Sequence, residues 1–146
     1  MLDDRVLVEY GVFGLMDLDV AGCPRPWPQE PLGGDAVTAI PNRVDFPSAA
    51  RDHEAAVRME TAPDEPPSLG PEWPDVEEVD VPLSSGQVRL WTVTMGPSGQ
   101  VFTVGGQGRY RLRVGCRGHD EALELSRSGR PVPDGTERYL LQFWPR

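Results

Sequence analysis

Two short constellations in the sequence carry side chains able to bind a metal or move a proton. His119, Asp120 and Glu121 follow closely on Cys116, and His53 stands between Asp52 and Glu54. Imidazole nitrogen and carboxylate oxygen are ordinary ligands for zinc or manganese, and such a His–acid pairing could also support metal-dependent hydrolysis. Neither has a recognised spacing such as H-E-x-x-H or H-x-H, so the plainer reading is two solvated turn histidines. Ser84, Ser85, Ser98, Ser126 and Ser128 all lack the G-x-S-x-G elbow that would expose a nucleophile. Gly105-Gly106-Gln107-Gly108 leads into a strand rather than opening a helix, so it reads as a hairpin turn and not a phosphate cradle. Asp17-Leu18-Asp19 sets two carboxylates on one side of a strand, but no glycine-containing calcium loop surrounds them. The sequence assigns no catalytic residue, no metal ligand and no cofactor.

The arginines are more informative. Residues 108–117 place Tyr110, Leu112, Val114 and Cys116 on one side of an extended backbone and Arg109, Arg111, Arg113 and Arg117 on the other. Period-two alternation of this kind predicts a half-buried strand. In the stretch EEVDVPL, Glu78 and Asp80 alternate with Val79, Val81 and Leu83, which puts two carboxylates where the ladder would put its guanidinium groups. Cross-strand pairs of this type fix register while contributing roughly 0.2–1 kcal/mol each. The ladder is therefore either a solvated, acid-paired face or a recognition surface, with Arg109, Arg111 and Arg113 as candidate binding residues.

The chain has 146 residues, a length that suits one domain spanning 1–146, and a net charge of −9. That charge argues against binding duplex nucleic acid and fits an encounter with a basic partner. It is unevenly spread: residues 1–86 carry −13, whereas residues 87–146 carry +4. All 14 basic residues are Arg, so a P-loop lysine, a Schiff-base lysine and a lysine general base are excluded. Cys23 and Cys116 are expected as free thiols. The acidic start of the chain and the lack of any long apolar run predict a cytoplasmic protein without a membrane span.

The elements that must position these residues are short strands. Sixteen Gly and 16 Pro fit many turns. Strands are predicted at 5–10, 15–19, 36–40, 77–83, 87–95, 100–104, 108–117 and 139–144, with a tight turn or bulge near Gly11. Residues 48–60 fit either a helix capped by Ser48 or a strand, and the β context favours the strand. The runs 87–95, 100–104 and 108–117 read as a meander. YLLQFW, apolar on both faces apart from Gln142, reads as a central strand. Residues 119–128 form a polar loop or short helix. Two long Pro-rich loops, 21–34 and 62–75, each hold one tryptophan, Trp27 and Trp73. The expected fold is all-β: a single-domain, two-layer antiparallel β-sandwich of about eight or nine short strands.

GRYRLRVGCRG followed by ERYLLQFWPR resembles small bacterial proteins, frequent in actinobacteria, that end in Y-L-x-Q-x-W-P. More distantly, residues 76–146 resemble the competence nuclease-inhibitor family, small acidic β-proteins that bind a DNA-entry nuclease. That resemblance implies a non-enzymatic, immunity-type partner of a basic protein. Two other readings remain: a carbohydrate- or small-molecule-binding sandwich using Trp27, Trp73 or Trp91, and a metal-dependent hydrolase using His119 and His53. On the first reading the binding face lies around Trp73 as an apolar anchor, rimmed by Asp64, Glu65, Glu72, Asp75 and Glu77.

Overall fold

The computed structural model describes residues 1–27, 32 and 34–146. Among them the chain forms eleven strands in two layers. In the first sheet β1 (Leu2–Val8), β5 (His53–Thr61), β11 (Arg138–Pro145), β10 (Gly108–Arg117) and β6 (Asp75–Leu83) lie side by side in that order. The second runs β3 (Thr38–Ile40), β4 (Arg43–Pro47), β2 (Val12–Asp17), β7 (Gln87–Thr92) and β8 (Gly96–Pro97), with β9 (Phe102–Thr103) also paired to β7. One helix, α1 (His119–Arg127), joins β10 to β11. It is too short to cross a membrane.

The all-β sandwich expected from the sequence is present, with β11 at the centre of its sheet. Residues 53–61 are strand, and Ser48 caps no helix. The hairpin at Gly11 turns on Tyr10 and Gly11, whose φ values of 56° and 74° are the left-handed pair a two-residue type I′ turn requires.

Three expectations are corrected. The structure has eleven strands rather than eight or nine: β8 and β9 span two residues each, and β4, with Arg43 and Asp45 among its five residues, lies outside the expected strands. The first sheet is mixed rather than purely antiparallel, since β11 pairs with β5 in parallel, Tyr139 opposite Val57 and Leu141 opposite Met59. The meander does not form. β7 and β9 pair in the second sheet, but β10 crosses to the first and lies between β11 and β6. The crossing follows from what each face of β10 needs. Its apolar row must face the other sheet, while Arg111 and Arg113 need the acids that only β6 supplies.

The core lies between the layers. Val6, Val8, Ala55, Val57, Met59, Leu112, Val114, Leu141 and Phe143 from one sheet meet Phe13, Leu15, Val44, Phe46, Val88 and Leu90 from the other. Phe13 stacks on Phe46 at 4.8 Å, and Tyr139 meets Phe13 edge-on at 4.9 Å.

The outer faces are partly covered by the Pro-rich loops. Trp27 is buried against Gly14, where a Cβ would stand 2.7 Å from its ring. Its Nε1 donates to the Thr92 carbonyl, and its ring also meets Arg43, whose guanidinium lies 5.2 Å from the ring and grips Asp45 in two bonds of 2.8 and 2.9 Å. Part of this loop, residues 28–31 and 33, lies outside the described residues. On the first sheet, Leu69 and Trp73 pack on Gly115 in the same manner, and Arg113 donates to the carbonyls of Pro66 and Pro67. In both places a glycine leaves the hollow that a large side chain fills.

Three stability changes follow. Leu112→Ala or Phe143→Ala, each at a fully buried site, is expected to cost about 2–5 kcal/mol, read as a lower urea midpoint. Arg111→Ala removes half-exposed pairs and should cost about 1 kcal/mol or less in the same titration. Gly14→Ala pushes Trp27 out of its seat and should lower the midpoint by about 1–3 kcal/mol with a red shift in tryptophan emission. An unshifted spectrum in that variant would contradict the packing described.

Candidate functional site

Three segments distant in sequence meet at one end of the sandwich. β4 ends at Pro47 and hands the chain to Ser48 and Ala49 before β5 begins at His53. β10 ends beside Cys116, and Gly118, with φ of 82°, turns the chain so that His119 opens α1. Its conformation and space both require glycine, because a Cβ there would stand 1.8 Å from the Thr136 carbonyl oxygen. Glu137 closes the return just before β11.

Glu137 is fully buried, and the three segments are organised around its carboxylate. Ser48 Oγ donates to Oε1 at 2.7 Å, the Tyr139 hydroxyl donates to the same oxygen at 2.8 Å, and the Ala49 amide donates to Oε2 at 2.9 Å. His53 Nε2 lies 3.6 Å from Oε1, and His119 Nδ1 lies 3.5 Å from Oε2. The two histidines that the sequence sets far apart are therefore neighbours of one acid. The reading of both as solvated turn residues is corrected: His53 is buried in a strand, because its place on β5 faces inward, and only His119 remains half-exposed.

Burial shapes the proton chemistry here. Loss of solvation holds the His53 imidazolium below its ordinary pKa, against the opposing pull of Glu137, Asp52 and Asp134. Burial, with the Glu137 charge adding to it, pushes the Cys116 thiol up to about 12. Burial likewise raises the Tyr139 phenol. His53 Nε2 and Ser48 Oγ are 2.8 Å apart. With the Ser48 proton given to Glu137, the imidazole is the donor to serine, and its Nδ1 faces no acid. In a nucleophilic triad serine donates to histidine and the acid holds the opposite ring nitrogen. The constellation is thus a structural network rather than a serine hydrolase site.

Beside the network a cleft of about 160 Å³ opens between the sheets, lined by Asp35, Val37, Asp75, Glu77, Cys116, His119 and Tyr139 among others. Its rim is acidic. Glu77 accepts from the Val37 amide and ties the β6 edge to the segment before β3. Cys116 Sγ, His119 Nδ1 and a Glu137 oxygen lie within 4.8 Å of one another, the one grouping of metal-capable side chains among the described residues.

The residues singled out in the sequence divide into two groups. Glu72, Asp75, Glu77, Asp64 and Glu65 are all exposed, along the edge strand β6 and the loop before it. Trp73 does not stand free at their centre. It is half-buried on Gly115, with the Arg117 guanidinium 5.7 Å from its ring. The arginine ladder is largely spent within its own sheet. Arg111 pairs with Glu78 at 3.1 Å and Asp80 at 2.9 Å, and buried Arg113 pairs with Glu78 at 3.0 Å while its ring-side face covers Trp144. Arg109 and Arg117 stay exposed without a carboxylate partner among the described residues, Arg117 lying beside the Trp73 ring. Hydrogen bonds from Arg113 and Arg111 outweigh the effect of burial and hold the Glu78 carboxyl below its ordinary range. Asp17 organises a turn, accepting from Ser85 and the Gly86 amide. Trp27 is buried with Gly14 and Arg43 against its ring, and half-buried Trp91 packs against the same cluster.

A larger, shallower groove of about 770 Å³ crosses the outer face of the first sheet, lined by Asp3, Arg5, Arg58, Trp73, Arg117 and Arg138 among others. Sequence reasoning missed Glu137 and Ser48 altogether. Their only signal is a lone acid before a strand and a lone serine after one.

No family model and no curated protein sequence matches the chain. Two solved structures share its fold. ComJ of Bacillus subtilis, described as an inhibitor of the DNA-degrading activity of NucA, superposes with a TM-score of 0.65 at 11% identity, covering 100% of this chain and 96% of that one. A protein described as crocagin biosynthetic gene J superposes with a TM-score of 0.61 at 19% identity, covering 100% and 99%. The chain is therefore a β-sandwich of the fold seen in ComJ, end to end.

Proposed function

We propose that the chain is a non-enzymatic acidic binding protein that engages a basic protein partner, a nuclease being the type of partner that the shared fold with an inhibitor suggests. The observation that carries this reading is an exposed acidic surface left without arginine partners. Asp64, Glu72, Asp75 and Glu77 make no ion pair among the described residues, whereas Glu78 and Asp80 on the same strand are fully engaged. Asp35 faces the same cleft as Asp75 and Glu77, and Asp120 and Glu121 open the helix that begins at His119 on its rim. Such a field raises association rates with a cationic surface and discriminates against acidic ones.

The surface is also a sheet edge. β6 pairs as a strand with β10 alone; on its other side the Pro82 carbonyl is taken by the Asn42 amide, and the rest of the edge has no strand partner among the described residues and carries a row of carboxylates. Acidic side chains there keep like copies apart while admitting a basic segment. Trp73 contributes by holding the loop on the sheet, so that Glu72 and Asp75 are presented from a fixed base.

Affinity capture from lysate of the source cells tests the reading. The wild-type chain should retain a basic protein at low salt and release it at high salt. Combined Glu72→Gln, Asp75→Asn and Glu77→Gln, in a variant whose circular dichroism is unchanged, should weaken the complex with the purified captured protein by at least about tenfold. Capture that is identical for both proteins and indifferent to salt would contradict it.

A further inference from the structure

Cys116, His119 and Glu137 reach one point from three elements: the inner row of β10, the first turn of α1 and the residue before β11. We propose that they form a site for one divalent transition metal ion of the zinc type, entered through the acidic cleft. This goes beyond the partner-binding reading and differs from the metal alternative read from the sequence, which joined His119 to His53 rather than to Cys116 and Glu137.

The geometry is close to what such an ion needs. Ligand atoms on a tetrahedral zinc with bonds of about 2.0–2.3 Å lie about 3.3–3.8 Å apart. His119 Nδ1 and Glu137 Oε2 are already at 3.5 Å, and the sulfur completes a set whose members lie within 4.8 Å of one another. His119 is half-exposed at a helix start, so its ring can close the remaining gap without disturbing the core. Sulfur, imidazole and carboxylate together favour zinc, cobalt or nickel over magnesium or calcium.

The surroundings support the same conclusion. The carboxylate of Glu137 is buried with no arginine paired to it among the described residues, and Asp35, Asp75 and Glu77 add negative charge around the cleft. Its other oxygen is held by Ser48 and Tyr139, the kind of outer support that fixes a metal ligand in place. A cleft of about 160 Å³ leaves room for a water in the fourth position. On binding, the Cys116 thiol proton passes to solvent and the sulfur binds as thiolate. No electron is transferred.

Cobalt titration of the full chain, stripped with a chelator and then freed of it, decides the matter. The expected result is uptake of one equivalent of Co²⁺ with a thiolate-to-metal charge-transfer band and the strong visible absorption of a four-coordinate ion, displaced by Zn²⁺, and a zinc-dependent rise in thermal midpoint. His119→Ala, at a half-exposed position that the fold does not need, should bind at least about tenfold more weakly. Cys116→Ser should abolish the charge-transfer band. No stoichiometric uptake, or uptake that lacks this band or is unchanged in His119→Ala, would overturn the proposal even if Cys116→Ser fails to fold. Neither result bears on capture by the acidic edge, which uses other residues.

Discussion

A fully buried carboxylate with no arginine paired to it among the described residues constrains the closed end of this sandwich. Glu137 must find hydrogen-bond donors inside the protein, because an unsatisfied buried charge costs several kcal/mol. It finds them in Ser48, Ala49 and Tyr139, and each donor fixes a different part of the chain. Ser48 and Ala49 set the path between the two sheets, Tyr139 carries the link into the aromatic core, and Gly118 brings α1 back over the top. The ring of Tyr139 packs on Phe13 of the opposite sheet while its hydroxyl reaches Glu137, so one side chain joins the apolar core to the polar network.

The two outer faces solve a different problem in parallel ways. Each sheet has a glycine at which a tryptophan from a Pro-rich loop seats itself, Trp27 on Gly14 and Trp73 on Gly115. Prolines lower the entropy lost in ordering these loops and remove backbone donors that burial would leave unpaired. Arginine completes both arrangements: Arg43 under Trp27 and Arg117 beside Trp73. Charge is then shared out by position. Glu78 and Asp80, opposite the ladder, are neutralised in register, while Asp64, Glu72, Asp75 and Glu77 make no ion pair among the described residues.

Much of the fold was legible because it rests on local alternation. The facing of Glu78 and Asp80 to Arg113 and Arg111 could be read from two strands of matching period, and the doubly apolar YLLQFW announced a central strand. The sequence was silent where the determinant is nonlocal. Nothing local marks Arg43 and Asp45, yet they form a buried bidentate pair beneath a loop whose course only tertiary packing sets. β10 leaves its sequence neighbours for the other sheet because its arginines find their acids there. His53, His119 and Glu137 could not be joined from spacing, since three separate connections bring them together; the short interval from Cys116 to His119 was the single local hint.

The proposed function requires a fixed acidic edge of this fold to meet a basic protein. Hydrogen–deuterium exchange on the chain, alone and bound to its purified partner, tests this, because the β6 edge has no strand partner on the side away from β10 among the described residues, and a bound protein would slow exchange there and in residues 64–77. Slowed exchange concentrated in that segment and in the first turn of α1 is the predicted result. Protection confined to the opposite sheet edge at β1, with residues 64–77 exchanging as in the free chain, would contradict it.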